Sequence, residues 1–447
     1  MTAAGLPLSP RAARVARANA PAAGPAAPAR PRAAGPTWTL SFLALLVYAI
    51  SVVTQRAPLG TGTWSVALAA AGLLLIAPWR WTPLTKGLVA FLLWSGVGVL
   101  SSRYPDVSAE QWIEFAKIVI VCFIATNAIR TWRQARVFGW VFLAAYMVYP
   151  GRGAVLNYFV AGHTKAGRAV WNGIYDNPND LAALSVLIVV VSYGIALSEP
   201  KRWLRWAALG CAAYASGVVL LTASRAGLLG LAMLVAAQGW RAVRQRRWGV
   251  IGGLALAAVV GWTVAPSTLK ARLMPDGEVD APRSRLDQMN ANMAAVSSDL
   301  RKRVVLAGLD LFSSHPVQGT GIGTFYMLTG EVDEQLRGFD THNTYVNVLV
   351  ETGLVGFILY IMTIGRTLLP WGLRGRDPVP PDSPEGRWLQ TLRVGMLGFL
   401  VCATFGSYSR LAMVYLFLCL YAALTEQVRD RVAAPALPGR GARRAGG

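Results

Sequence analysis

The sequence predicts an all-α, polytopic integral membrane protein. Apolar runs of about 17–22 residues recur along it, roughly the length a helix needs to cross a bilayer. Hydrophobic residues make up 54% of the chain, and 16 residues are tryptophan. The basic residues behind the formal charge of +21 sit in short clusters between the apolar runs. Such clusters mark cytoplasmic loops, so the charge does not argue for nucleic acid.

The elements follow in order. Residues 1–36 are rich in Ala, Pro and Arg, cannot build a core, and read as a disordered cytoplasmic tail. The apolar run after it, "WTLSFLALLVYAISVVT", is long enough to span, and no small-residue cleavage site clearly follows. It reads as a retained first helix and not as a signal peptide. About twelve spans are expected. Nine fall at 38–54, 61–79, 84–101, 111–129, 134–149, 180–198, 203–222, 225–240 and 248–265. Three more fall at 344–365, 389–406 and 411–427.

Lys and Arg set the orientation. One side collects Arg80/Lys86, Arg130/Arg133/Arg136, Lys201/Arg202/Arg205, Arg241/Arg244/Arg246/Arg247 and Arg366/Arg374/Arg376/Arg387/Arg393. It also holds the basic residues of both tails, so both termini are expected in the cytoplasm. Spans one to nine then occupy 37–265 with an outer loop near 150–179. A long outer loop covers 266–343, spans ten to twelve cover 344–428, and a basic cytoplasmic tail covers 429–447. Long loops are where function tends to reside, so the working face is expected outside the membrane. No P-loop, dinucleotide fingerprint or HExxH metal site occurs, and the driving force must arrive with the substrate. Cys122, Cys211, Cys402 and Cys419 lie inside apolar runs without metal-ligand spacing and read as inert.

Polar motifs gather at outer positions. In "RKRVVLAGLDLFSSHPVQGTGIGTF", 301–325, Val305, Leu309 and Phe312 predict an amphipathic helix against the bundle. Arg301, Lys302 and Arg303 open it, His315-Pro316 stops it, and Gly319, Gly321 and Gly323 make a flexible turn. The basic triplet also reads as a snorkelling anchor for lipid headgroups. In "GFDTHNTYVNVLVETG", Asp340 or Thr341 caps a helix and leaves His342 and Asn343 in its first turn. Asn343, Asn347 and Glu351 then form a polar stripe that must line a cavity or hydrogen-bond across helices. His342 reads either as part of the helix start or as chemistry. In "GRAVWNGIYDNPNDLAAL", Asn179 or Asp180 can cap the next span, which leaves Arg168 unexplained. In "TASRAGLLG", Ser224-Arg225 makes a tight outer turn, where Arg225 could merely snorkel.

Together, "LFSSHPVQGTGIGTF", "THNTYVNVLVETGLVGF", "SRAGLLG" and "NPNDLA" resemble the O-antigen ligase and O-antigen polymerase superfamily. The resemblance covers roughly 303–356, 168–182 and 222–230; elsewhere it is span count and orientation. It implies a GT-C-like glycosyltransferase of the bacterial inner membrane, with a long periplasmic loop containing short helices and an active site on the periplasmic face. The donor implied is a polysaccharide on undecaprenyl pyrophosphate, and the acceptor is lipid A-core in lipopolysaccharide synthesis. Membrane lipids are the remaining partners; no nucleic acid, cofactor or metal is implied. The resemblance maps essential residues onto Arg168, Arg225, Arg303 and His342. An O-antigen polymerase and a protein O-oligosaccharyltransferase are the alternatives, and a lipid-linked glycan transporter a more remote one. The short tail and the single prominent loop before span ten favour the ligase.

The chemistry expected of that family follows. The leaving pyrophosphate needs metal or arginine to carry its charge. No acidic cluster has metal spacing, so arginine is expected: Arg168 and Arg303 on the pyrophosphate, with Arg225 in support. His342 is expected as general base, kept neutral by nearby arginines, with Asn343 orienting it. Direct attack would invert the anomeric centre. A retaining route would need a carboxylate nucleophile, for which Asp340 is nearest but without a visible pair.

Overall fold

Short polar residues at the head of the apolar runs set several helix starts. Thr39, Thr82, Thr131, Ser224 and Ser383 each accept the backbone N–H three residues on, satisfying donors that a helix cannot satisfy itself. The computed structural model describes residues 38–75, 78–274, 285–369 and 383–433. The expected tail 1–36, most of the expected tail 429–447, and Arg374 and Arg376 lie outside the described residues.

The first helices are α1 (Leu40–Thr54), α2 (Thr61–Leu74), α3 (Pro83–Ser101), α4 (Pro105–Ala128), α5 (Trp132–Tyr146) and α6 (Arg152–Leu156). Next come α7 (Pro178–Ser198), α8 (Arg202–Leu221), α9 (Arg225–Arg244), α10 (Trp248–Thr263) and α11 (Ser267–Leu273). The last are α12 (Arg285–Ser314), α13 (Phe325–Val332), α14 (Thr344–Leu368), α15 (Pro384–Cys402) and α16 (Ala412–Ala433).

Each of the twelve expected spans corresponds to a helix. Among the described residues, six are long and apolar enough to cross a membrane by length and composition: α3, α7, α8, α9, α14 and α15. α10 and α11 pass together as a span bent by 104°. Others fall short for visible reasons. α1 has 15 residues, and α4 carries Asp106, Glu110, Glu114 and Lys117 between Pro105 and Ile118. The protein is thus all-α and multi-pass.

α7 is buried on nearly every side, and α16 is buried from Met413 to Leu424. Both are apolar round their circumference, the pattern of helices at a bundle's centre. α7 packs against α5, α8, α9 and α15, while α14 packs against α3 and α12.

Three local expectations are corrected. The outer loop near 150–179 begins later, because α5 runs on through π turns at Met147–Gly151 and Asn157–Ala161. The wider turn accommodates Pro150, which has no N–H to donate. Gly162, at φ 66°, ends that helix, and a two-residue hairpin follows, pairing Thr164 with Ala169 and Lys165 with Arg168. Ala166 and Gly167 both take positive φ, as such a turn requires.

The long outer segment holds the expected short helices, α11 and α13, and between them α12, a helix of 30 residues. Arg301, Lys302 and Arg303 lie inside it and do not open it. The preceding Ala, Met, Leu and Gln residues are good helix formers with no proline among them. Its buried seam is also displaced. Val304 and Ala307 are buried against Phe325 and Val350, whereas Leu309 is exposed. The stop at Ser314 falls where expected.

The turn over Gly319, Gly321 and Gly323 is not flexible but fixed. α14 breaks at Gly353 (φ 68°, ψ −177°), and the turn fills the break. Thr320 N and Gly321 N donate to Val350 O and Glu351 O at 3.0 Å each, and Leu354 N donates to Pro316 O at 2.8 Å. Trp94 Nε1 donates to Thr352 O at 2.9 Å. Broken backbone within a membrane helix is stable only when its polar groups find protein partners. A Cβ on Gly353 would lie 2.0 Å from Val317 O.

Candidate active site

The first turn of α7 is the hub of the site. Asn177 caps that helix, accepting from Asn179 N at 2.8 Å. Neither Asn179 nor Asp180 is the cap, contrary to expectation, and both side chains are free for other partners. Asn179 Oδ1 accepts from Arg168 Nη2 at 2.7 Å and from Ser224 Oγ at 3.0 Å. Arg168 also donates from Nε to Thr222 O at 2.7 Å. The hairpin therefore delivers Arg168 to the α8–α9 turn. That turn is as tight as expected: Ala223 takes φ 47°, and Ser224 caps α9 ahead of Arg225.

Four arginines gather here. Arg225, Arg272 of α11 and Arg301 of α12 are all close enough for their charges to act on Arg168. Burial first, and then those three charges, push the Arg168 guanidinium down to about 9. Burial, followed by the Arg225 charge, also lowers Arg301. The Nε atoms of Arg272 and Arg301 are buried with no hydrogen-bond partner among the described residues. A buried N–H without a partner is costly and like charges repel, so an anion would suit this cluster.

Arg303 does not join it. Its Nη2 pairs with Asp333 and donates to Gln335 Oε1 at 3.1 Å. Residues two apart on a helix point to different faces, so Arg301 and Arg303 cannot serve one cluster.

Carboxylates and a tyrosine lie near Arg301. Asp180 lies near the Tyr408 side chain and feels the charges of Asp340 and Arg301. Asp340 thus has a carboxylate neighbour that its sequence position did not reveal. Tyr408 is buried in the segment between α15 and α16. That segment is clamped to the start of α14: Thr344 Oγ1 donates to Gly406 O at 2.6 Å and accepts from Tyr408 N at 2.9 Å.

His342 lies just outside α14, which begins at Thr344. The cap is Asn343, accepting from Tyr345 N at 3.0 Å and Val346 N at 3.2 Å. Neither Asp340 nor Thr341 has that role, and His342 is not in the first turn. It takes φ 46°, a left-handed conformation uncommon for a residue with a side chain. Burial lowers the imidazole below its ordinary 6.5; the Asp340 charge opposes this and the Arg301 charge adds to it. Asp340 Oδ1 is held by Thr341 N at 2.7 Å and Asn347 Nδ2 at 3.5 Å.

The polar stripe hydrogen-bonds across elements. Asn347 Nδ2 donates to Glu351 Oε1 at 3.4 Å and Ser409 Oγ to Asn347 Oδ1 at 3.4 Å. Glu351 Oε1 accepts from Phe325 N at 3.4 Å, and Oε2 pairs with Arg410 at 3.5 Å. These bonds fasten α14 to the start of α13 and to the 406–410 segment.

The structure thus gathers Arg168 and Arg225 with Arg301 and Arg272, and sets His342 beside Arg301. Sequence reasoning missed the parts played by Arg301, Arg272, Asn179, Asp180 and Tyr408. Arg301 had a legible signal: Val304 and Gly308 stand three and seven residues on, along the face that packs. Tyr408 had none.

Residues 210–361 match a family model described as O-antigen ligase. That stretch includes Arg225, Arg272, Arg301, His342 and Asn343, while Arg168, Asp180 and Tyr408 fall outside it. No curated protein matches the chain.

Proposed function

We propose that this chain belongs to the O-antigen ligase superfamily, which the family match over residues 210–361 supports, and that it ligates O-antigen polysaccharide from undecaprenyl pyrophosphate onto lipid A-core. On this reading it is a GT-C-like enzyme of about twelve spans in the bacterial inner membrane. Its active site opens on the periplasmic face. The observation that carries the reading is the arginine cluster beside His342, with two buried and unpartnered Nε atoms. A pyrophosphate is an anion of the charge and multiplicity that four guanidinium groups suit.

The reaction needs one proton acceptor and one anion holder. The acceptor sugar hydroxyl gives its proton to the neutral His342 imidazole as its oxygen bonds to the anomeric carbon. The bond from that carbon to the pyrophosphate oxygen breaks, and its electron pair leaves with the undecaprenyl pyrophosphate. Arg168, Arg225, Arg272 and Arg301 hold the charge that grows there. One direct displacement inverts the anomeric centre. Asp340 is held by Thr341 N and Asn347, which suits a fixed charge better than a nucleophile. Arg303 steadies α12 through Asp333, and Asn343 fixes the helix start behind His342.

The test is purified protein in lipid bilayers, supplied with undecaprenyl-pyrophosphate-linked glycan and lipid A-core, with a chelator present. Ligated product with an inverted linkage is the expected result. Glycan joined only to glycan would indicate the polymerase instead. Activity lost to chelation and restored by magnesium would overturn the arginine assignment.

A further inference from the structure

We infer that the Thr341 hydroxyl, anchored by Ser407, holds His342 in its left-handed turn and so aims the imidazole. This rests on the reading of His342 as the general base. Thr341 acts through the backbone on either side of the histidine, and is a positioning residue, not a catalytic one.

The hydroxyl bridges from the residue before His342 to the residue after it. Thr341 Oγ1 accepts from Asn343 N at 3.0 Å and donates to Asn343 O at 2.9 Å. Its one proton is thereby used, so Ser407 Oγ, 3.3 Å away, is the donor of that pair. Thr341 N is held in turn by Asp340 Oδ1 at 2.7 Å. Between these ties His342 takes φ 46°. A residue with a side chain stays in that region only where its surroundings over-determine it. A threonine hydroxyl bonded to the N–H two residues on is a local turn of that kind.

Capping of α14 does not account for these bonds. Asn343 Oδ1 caps the helix by accepting from Tyr345 N and Val346 N, whereas the Thr341 hydroxyl serves the backbone of Asn343. Thr341 also ends a longer seam. Thr341, Thr344, Asn347 and Glu351 meet the 406–410 segment in register: Ser407, then Gly406 and Tyr408, then Ser409, then Arg410. The lower contacts seat α14 on that segment. The Thr341–Ser407 contact lies ahead of the helix start and seats the histidine turn. Thr341 is buried at 1% exposure, so water does not stand in for a lost partner. Without the hydroxyl the turn relaxes and the ring direction is no longer fixed. Proton transfer depends on that direction, while anion binding by the arginines does not.

Thr341→Val keeps the shape of the side chain and removes all three hydroxyl bonds. In the full chain reconstituted in bilayers, kcat should fall roughly 10–100-fold, the order of effect of a misplaced catalytic group. Binding of the undecaprenyl-pyrophosphate-linked glycan, measured directly, should not change. Thr341→Ser restores the hydroxyl and should recover most of the lost turnover. Placed on His342→Ala, Thr341→Val should cost nothing further, since a positioning residue acts only through the ring it positions. Wild-type kcat in Thr341→Val, or a further fall on the His342→Ala background, would overturn the inference and leave the base standing. Wild-type kcat in His342→Ala would overturn the base and the inference with it. If Thr341→Val fails to fold, Ser407→Ala removes the anchor alone and decides the matter. It should lower kcat several-fold with donor binding intact, and an unchanged kcat would overturn the inference.

Discussion

Arg168 Nη2 donates to Asn179 Oδ1 at 2.7 Å, and that oxygen also accepts from Ser224 Oγ at 3.0 Å. One amide oxygen in the first turn of α7 thus joins the outer hairpin to the α8–α9 turn. Asn179→Leu removes the acceptor while keeping similar bulk. A buried guanidinium then loses one of its two partners, at a cost of about 1–3 kcal/mol. Transfer should fall at least about tenfold as Arg168 loses its fixed position. Thermal unfolding in detergent and the reconstituted transfer assay check the two effects.

His342 and Asn343 should separate chemistry from capping. His342→Asn suits the left-handed turn, since asparagine tolerates positive φ, so the protein should stay as stable as before. Transfer should nevertheless drop by roughly 10²–10⁴-fold, the worth of a general base. Asn343→Ala should cost about 1 kcal/mol of stability through the lost cap. Near-normal transfer by His342→Asn would remove the base from the mechanism.

Arg301 and Arg303 should behave unlike each other. Arg301→Ala should abolish binding of the lipid-linked donor, because its Nε is buried without a partner and its charge acts on Arg168. Arg303→Ala breaks a partly exposed pair with Asp333 and should leave donor affinity nearly intact. Direct binding measurements on both variants decide this. Equal losses in the two would mean that the basic triplet acts as one lipid-headgroup anchor.

The acid limb of the pH profile should lie low in the free enzyme. A base works above its titration point, and burial with Arg301 holds that point of His342 below 6.5. The acid limb of kcat/KM should therefore fall below pH 6.5. For stability, the folded state binds fewer protons at His342 than the unfolded chain. Its contribution should hold above about pH 6.5 and be lost as pH falls toward the lowered folded value. An acid limb of kcat/KM at or above pH 6.5 would argue against His342 as the base.

Gly353 should tolerate no side chain. Its φ of 68° with ψ −177° belongs to a region that only glycine visits readily, and a Cβ would strike Val317 O at 2.0 Å. Gly353→Ala should destabilise the protein by about 1–3 kcal/mol or more. Reduced yield of folded protein and a lowered melting temperature are the expected readings. Gly162→Ala is the control for positive φ alone, since no atom lies within 4 Å of a Cβ there.

The sequence by itself determined where the helices of the twelve expected spans are and the tightness of the Ser224-Arg225 turn. Hydropathy, caps and proline stops are local properties, readable within a dozen residues. It also singled out the stretches that carry Arg168, Arg225 and His342. Only the tertiary structure decided which side chains meet. Arg301 and not Arg303 enters the cluster because the packed face of α12 runs through Val304 and Gly308, which composition alone does not select. Asn343 takes the cap from Asp340 and Thr341 because the 406–410 segment clamps Thr344 and fixes where α14 starts. Tyr408 reaches Asp180 across more than two hundred residues of chain, and Arg272 arrives on a helix bent by 104° from α10. Such meetings depend on the azimuth of each helix and on contacts between distant segments, and packing sets both after the local elements have formed.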